Sequence, residues 1–147
     1  MKQADAKEIL WRAAQQSPHF EESAAVYASM ARPDATLPDD FPEQALEALR
    51  SYPELEELLD LTELSISAEK GTGQSSFYEL SPGTVELVVA VMALLGTQLD
   101  ISYKDGVFSF RLRYKPMKVD LLKALIQTLG DALSDAGEAL TKLGESL

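Results

Sequence analysis

Residues 119–147 carry a seven-residue repeat that constrains the fold more than any other feature of the chain. Apolar side chains recur there at alternating spacings of three and four: Val119, Leu122, Ile126, Leu129, Leu133, Ala136, Leu140, Leu143 and Leu147. This spacing is typical of an α-helix with one continuous apolar seam. The sequence therefore predicts a long amphipathic C-terminal helix over residues 117–147.

Three glycines, Gly130, Gly137 and Gly144, lie beside this seam, where a coiled coil normally carries charged side chains. Each interior glycine costs a helix roughly 1 kcal/mol relative to alanine, so their recurrence indicates that another backbone approaches closely. We expect the seam to bind a helical partner or a second copy of the chain. The predicted partner-binding residues are Leu129, Leu133, Ala136, Gly137, Leu140, Leu143 and Gly144.

Three arrangements of this segment remain open from the sequence. The helix can pack on its own domain, it can break with Gly130 ending one helix and Asp131 capping the next, or its end can fold only on a partner. A straight helix over 117–147 would be about 46 Å long at 1.5 Å per residue. That length exceeds a domain of this size, so we expect the segment to bend, protrude or meet another chain.

The composition limits the classes of protein to which this chain can belong. The 147 residues fit one domain, and the formal net charge of −11 disfavours binding to nucleic acid or to an anionic membrane surface. Cysteine is absent, which excludes disulfides and thiolate chemistry. The first residues are polar and no apolar run is long enough to span a bilayer, so we expect a cytoplasmic protein without a membrane segment.

The first part of the chain, residues 1–63, reads as acidic and helical. Apolar spacing predicts two helices within residues 3–31, separated by a break at Ser17-Pro18. Pro42 starts a further helix, and Pro53 restarts it after Tyr52. Prolines and aspartates between the two pairs of helices indicate a loop.

For the next part, residues 64–116, the sequence predicts two hairpins with a helix between them. Alternation over Leu64–Ala68 predicts a strand, with Ser76–Leu80 as the return strand of a first hairpin. A helix from Ser81 to Gly96 is apolar nearly all round, which indicates the core. Its valine-rich composition leaves a buried strand as the alternative.

A second hairpin follows the core helix. Alternating apolar residues over Leu99–Tyr103 lead into Lys104-Asp105-Gly106, a strong hairpin turn, and Val107–Tyr114 forms the return strand. We therefore predict a single α+β domain over residues 1–147, with N-terminal helices followed by β-hairpin–helix–β-hairpin, a small antiparallel sheet and the long C-terminal helix. The hairpin–helix–hairpin–helix order over residues 64–147, together with small size and acidity, resembles type III secretion chaperones. That resemblance implies protein binding.

Three residue groups were considered for chemistry, and none indicates a catalytic or metal site. His19 has no nucleophile or orienting partner nearby in sequence, and we interpret it as a surface or structural residue. The loop Lys70–Gly73 lacks phosphate-loop spacing and joins two predicted strands. The acidic residues Asp34, Asp39, Asp40 and Glu43 do not have calcium-loop spacing. We predict no cofactor, no metal and no catalytic residues.

The charges are distributed unevenly. Residues 39–63 contain nine carboxylates with Arg50 as their one cation, whereas residues 104–123 contain six cations and two carboxylates. Four of these cations form a candidate patch for an anion or an acidic partner: Arg111, Arg113, Lys115 and Lys118. The alternative is an intramolecular charge match or a solvated strand face, since exposed ion pairs are individually weak.

These observations favour a non-enzymatic protein–protein interaction protein of the adaptor, chaperone or inhibitor/immunity type. It would bind a protein partner, or associate with itself, through helical surfaces. A small-ligand sensor is the alternative, with its pocket between the sheet and the helix at residues 85–95. An enzyme with a dispersed carboxylate site is a third possibility.

Overall fold

The computed structural model describes residues 5–18, 20–71, 83–134 and 137–147. These residues form seven α-helices and one two-stranded antiparallel sheet, an α+β arrangement. The elements are α1 Ala6–Gln15, α2 Phe20–Met30, α3 Phe41–Leu49, α4 Pro53–Gly71, α5 Thr84–Gly96, β1 Leu99–Lys104, β2 Val107–Leu112, α6 Val119–Ala132 and α7 Gly137–Glu145.

Helix α5 lies at the centre of the apolar core. Nine consecutive residues, Leu87 to Leu95, are buried, so the helix is packed on all sides. Helices α1 and α2 pack against it most extensively, and α3, α6 and β1 add further contacts. The predicted core helix is therefore confirmed, and the alternative of a buried strand is wrong. Among the described helices, none has both the length and the hydropathy needed to cross a membrane.

The predicted N-terminal helices are also present, and polar contacts fix α1 against α4. The Asp5 side chain accepts a hydrogen bond from the Lys7 backbone N–H, which caps α1. Arg12 pairs with Glu69 of α4 at 2.7 Å, and the Gln16 amide donates to the Thr62 hydroxyl at 3.3 Å. Both contacts with α4 come from the C-terminal half of α1 and its C-cap, so they fix this end of α1 against α4.

The strand predicted over Leu64–Ala68 is wrong, because α4 continues as a helix to Gly71. The inward positions of α4 are Leu55, Leu59, Thr62 and Ile66, which have helical spacing. A strand would have buried Leu64 together with Ile66, whereas Leu64 is 67% exposed and Ile66 is fully buried. The helical spacing of apolar residues is hard to recognise in the sequence, because one of the inward positions carries a threonine, Thr62, in place of an apolar residue.

The predicted return strand Ser76–Leu80 lies outside the described residues. Within the described ranges there is one hairpin, so the predicted β-hairpin–helix–β-hairpin order is not found. The resemblance to type III secretion chaperones depends on that order of elements. Its first hairpin is not found among the described residues. The coarser α+β prediction is confirmed.

The second predicted hairpin is present as strands β1 and β2. Its register places Leu99 opposite Leu112 at one end and Lys104 opposite Val107 at the other. Asp105 and Gly106 form the turn with φ angles of 54° and 77°. Two consecutive positive φ values are typical of the two-residue turns whose twist matches that of paired strands.

The prediction of one long helix over 117–147 is wrong. Helix α6 ends at Ala132, and Leu133 has extended backbone angles of φ −106° and ψ 145°. Two backbone hydrogen bonds cause this break by tying the chain to the end of α2: Arg32 N–H donates to Ala132 O, and Ser134 N–H donates to Met30 O, both at 2.8 Å. The break therefore falls three residues after Gly130, the position considered from the sequence.

Candidate protein-interaction surface

The predicted partner-binding residues of the C-terminal seam are buried within this chain. Leu129, Leu133 and Leu140 are fully buried and Leu143 nearly so, and Gly137 and Gly144 are buried as well. Ala136 lies outside the described residues. The side chains pack between α6, α7 and the rest of the core, so none of the six described residues offers a free surface.

Helices α6 and α7 pack against each other at their glycines. A Cβ atom built on Gly130 would lie 3.0 Å from the carbonyl oxygen of Gly137, and one built on Gly137 would overlap the carbonyl oxygen of Gly130. Near the other end of the pair, a Cβ on Gly144 would lie 3.3 Å from Ile126 Cγ2. The helices are therefore antiparallel, and their backbones touch near the break.

The close helix contact expected from the glycines thus occurs between two helices of one chain, which is the first of the three arrangements considered. The facing helix also explains why these positions carry glycine instead of the charged side chains of a coiled coil, because the surface beside the seam is covered. Binding of a partner through the seam residues stays a prediction.

Exposed large apolar side chains concentrate in one stretch of the chain. The described residues contain eight of them: Val26, Leu61, Leu64, Ile101, Tyr103, Val107, Tyr114 and Met117. Five lie between residues 101 and 117, on the β1–β2 hairpin and the connection that follows it. We name the hairpin, Leu99–Leu112, the β arm, and residues 99–118 the arm segment.

One face of the β arm is apolar and is buried only at its base. Leu99 and Phe110 are buried, whereas Ile101 is 41% and Tyr103 64% exposed. The Tyr103 and Phe108 rings lie 4.6 Å apart between centroids, and Phe108 stacks on Phe110 at 6.5 Å. The aromatic side chains thus form a continuous row from the core to the exposed end of the arm.

The other face is fully exposed and largely polar; it consists of Asp100, Ser102, Lys104, Val107, Ser109 and Arg111. The hydroxyls of Ser102 and Ser109 form a hydrogen bond across the strands. Arg113 donates two hydrogen bonds to Asp100, at 2.7 and 2.9 Å, and this carboxylate raises the pKa of the guanidinium. Each strand pairs only with the other within the described ranges, so both outer edges of the arm lack a neighbouring strand there.

All four residues of the predicted basic patch, Arg111, Arg113, Lys115 and Lys118, are exposed. Arg111 and Arg113 lie on the polar side of β2 and its continuation, whereas Lys115 and Lys118 lie in the connection to α6. The arm segment carries five cations and two carboxylates, against eight cations and 22 carboxylates in the other 127 residues. The patch therefore belongs to a locally basic segment of an acidic protein, although Asp100 neutralises Arg113.

Hydrogen bonds from the protein body hold the connection after the arm in place. The Arg113 N–H donates to Gln98 O at 2.9 Å, the Tyr52 hydroxyl donates to Tyr114 O at 3.1 Å, and the Met117 N–H donates to Ser51 O at 3.0 Å. Met117 is nevertheless 79% exposed. Its side chain is thus presented outward from a fixed backbone.

Two clefts have linings that differ from the pocket predicted for a ligand sensor. One, of about 490 Å³, is lined by Gln15, Ser17, Phe20, Glu21 and Glu22. The other, of about 230 Å³, lies between the start of α1, the loop before α3 and the start of α5. Neither includes the aromatic residues of the arm. The described residues contain no group of three or more histidine or acidic side chains able to hold a metal ion, and His19 lies outside them.

Sequence reasoning missed the exposed half of the arm. Alternation puts Phe108, Phe110, Leu112 and Tyr114 on one face of the return strand, but it does not separate the base of the arm from its end. The signal that could have found the exposed half is the strand count, because a two-stranded hairpin depends on packing against other elements, and only its base reaches the core. Comparison of the chain with protein-family models, curated proteins and solved structures finds no match.

Proposed function

We propose that this protein is a non-enzymatic protein-binding protein of the adaptor, chaperone or inhibitor type that acts in the cytoplasm, and that its arm segment is the binding surface. The observation that carries this proposal is the clustering of exposed apolar side chains among basic ones, in a chain that is otherwise strongly acidic. Exposed apolar side chains that share a face, as Ile101 and Tyr103 do on the arm, are typical of interaction sites.

Tyr103 is the best candidate for the residue that dominates binding. Tyrosine is enriched among the residues that carry most of the energy of interfaces, because its ring covers a large area with few rotatable bonds. Tyr103 packs on Phe108, so its ring is already ordered by a neighbour before any partner arrives. Ile101 and Val107 add apolar area on the two faces beside it.

The charge of the arm segment indicates the chemistry of the partner. Lys104 and Arg111 are exposed on the polar face, where Asp100 lies opposite Arg111 and pairs with Arg113. Complementary charge across an interface mainly raises the association rate and selects among partners. The arm therefore suits a protein segment that combines acidic residues with apolar ones.

Site-specific photo-crosslinking tests the proposal. A photoreactive phenylalanine analogue replaces Tyr103 in one variant and Val26, an exposed apolar residue of α2, in a matched control. In cells of the native host, we expect a discrete crosslinked protein from position 103 only, and its yield should fall at least tenfold when Lys104→Glu and Arg111→Glu are added. Equal labelling from both positions would contradict the proposal, and so would a crosslinking yield that the charge reversal leaves unchanged.

A further inference from the structure

The outer edge of strand β1 is exposed, and no strand of the described ranges pairs with it. Residues 100–104 are all exposed, and β1 makes its main contacts with β2 and with α5, which ends at Gly96. The edge of β2 differs, because helix α7 packs against that strand. Proteins commonly protect a free edge with proline, a bulge or lysine. Strand β1 has no proline and a continuous register, so Lys104 is its one protecting residue.

The odd-numbered residues of β1 supply the backbone groups on this edge. The Arg113 N–H donates to Gln98 O at 2.9 Å, so these two residues form a hydrogen-bonded pair next to the ladder. Hydrogen-bonded pairs alternate with non-hydrogen-bonded ones along antiparallel strands, so the even-numbered residues of β1 direct their N–H and C=O groups towards β2. The odd-numbered residues direct theirs outward. Ile101 and Tyr103 thus offer two N–H donors and two C=O acceptors to a neighbouring strand.

The sequence of β1 is complementary to itself in one antiparallel register, which places Ser102 of two copies on a common two-fold axis. Ile101 of each copy then lies opposite Tyr103 of the other, and their outward backbone groups meet as hydrogen-bonded pairs. Asp100 of each copy lies opposite Lys104 of the other, on the polar face. These are non-hydrogen-bonded pairs, whose side chains approach most closely, and opposite charges at such positions stabilise strand pairing.

Neighbouring registers lack this match. Sliding one copy by a single residue sets polar side chains against apolar ones, and sliding it by two residues separates Asp100 from Lys104. Both hydrogen bonds from Arg113 end on Oδ1 of Asp100, which leaves Oδ2 to accept from a lysine of another copy. Pairing at the edge also keeps the two faces of the arm apart, since each face continues into the same face of the other copy.

We infer that this chain forms an isologous dimer in which the β1 edges of two copies pair in this register and join two arms into one four-stranded antiparallel sheet. The dimer does not depend on the proposed function, because it uses an edge of the arm and not its apolar face. That face is doubled, since the aromatic rows of both copies lie on one side of the sheet. The contact is smaller than the roughly 800 Å² per partner of a standard interface, so we expect association at about 10–500 µM.

A single cysteine on the two-fold axis tests both the dimer and its register. The chain has no cysteine, so Ser102→Cys can form only a disulfide between two copies. The Cα atoms of a non-hydrogen-bonded pair lie about 4.5 Å apart, within the range that a disulfide spans. Ser109→Cys is the matched control, since Ser109 is exposed on the same face of the arm but belongs to β2. Under mild oxidation we expect Ser102→Cys to give at least about ten times more crosslinked dimer than Ser109→Cys.

Charge reversal at the edge gives a second test, by sedimentation and light scattering. The wild-type mass should approach twice the 16.1 kDa of the chain as its concentration rises. Lys104→Glu places a glutamate opposite the partner's Asp100 and should weaken the dimer at least about tenfold, whereas Arg111→Glu changes the net charge equally and should weaken it no more than about twofold. Salt at about 0.15 M limits the general repulsion between two chains of charge −11.

Three results would overturn the dimer. They are a wild-type protein that stays monomeric at about 1 mM, where even weak interfaces are populated, equal crosslinking of Ser102→Cys and Ser109→Cys, and equal weakening by Lys104→Glu and Arg111→Glu. A monomeric wild type whose Tyr103 analogue still crosslinks a different protein would reject the dimer and leave the role of the arm standing. A dimeric wild type whose analogue labels only a second copy would support the dimer and reject a separate protein partner.

Discussion

Replacing Gly137 by alanine tests whether the backbones of α6 and α7 touch. The added Cβ would overlap the carbonyl oxygen of Gly130, which belongs to the backbone of the facing helix and cannot rotate away. The two helices must separate or tilt to admit it. Gly137 has no positive φ angle, so alanine suits its backbone conformation and the contact alone decides the outcome.

The size of the effect follows from two opposing terms. Alanine gains up to about 1 kcal/mol over glycine in a helix. Overpacking a close contact costs about 1–3 kcal/mol, and contact with a backbone favours the upper end of that range. We expect Gly137→Ala to lower the free energy of unfolding by about 2 kcal/mol. For a chain of this length that corresponds to a fall in melting temperature of about 4–8 °C.

Gly144→Ala is the matched control, since it places the same methyl group on the same helix. Its Cβ would lie 3.3 Å from Ile126 Cγ2, a side-chain atom that can move by a few tenths of an ångström. We expect this variant to be as stable as the wild type or up to about 1 kcal/mol more stable. Urea unfolding followed by circular dichroism measures both. If Gly137→Ala were stabilised as much as Gly144→Ala, the glycine contact between α6 and α7 would be refuted.

Two further predictions address the core. Ile66→Ala should lower the free energy of unfolding by about 2–5 kcal/mol, whereas Leu64→Ala should change it by less than about 0.5 kcal/mol. Urea unfolding measures both, and an equal loss of stability in the two variants would favour a strand over residues 64–68. Burial raises the pKa of Tyr27 from 10.0 to about 12, so the unfolded chain loses this proton first and stability should fall as the pH rises from 10 to 12. Tyr27→Phe should remove up to about 3 kcal/mol of that fall; an unchanged pH dependence of unfolding would show that Tyr27 is not buried.

The sequence predicts correctly those elements that are determined by residues within or next to the element itself. The turn at Asp105-Gly106 needs residues that accept positive φ, and the chain supplies them where the hairpin turns. Helix α5 is apolar on every side, and an apolar segment of that length has no stable place except the core. Pro42 and Pro53 lie at the starts of α3 and α4, where a missing N–H costs nothing.

The errors arise where distant parts of the chain decide the structure. Periodicity across Leu133 is unbroken, yet the helix ends there because Met30 and Arg32 offer hydrogen-bonding groups to its backbone. Alternation at Leu64 and Ile66 mimics a strand because Thr62 takes an inward position. The seam was read as an external surface because spacing shows that a helix face is covered but not which element covers it.

The bridge between Ala31 and Leu133 has a consequence for synthesis of the chain. Its backbone hydrogen bonds join residues 100 or more positions apart, and the side-chain bond from Arg32 Nε to Leu133 O lies beside them. The end of α2 therefore stays without these partners until residues 132–134 have left the ribosome. Local helices can form early, but this closure has to wait for a segment made about 100 residues later. A translation product that stops before Leu133 would leave the N-terminal helices open to whatever protein meets them first.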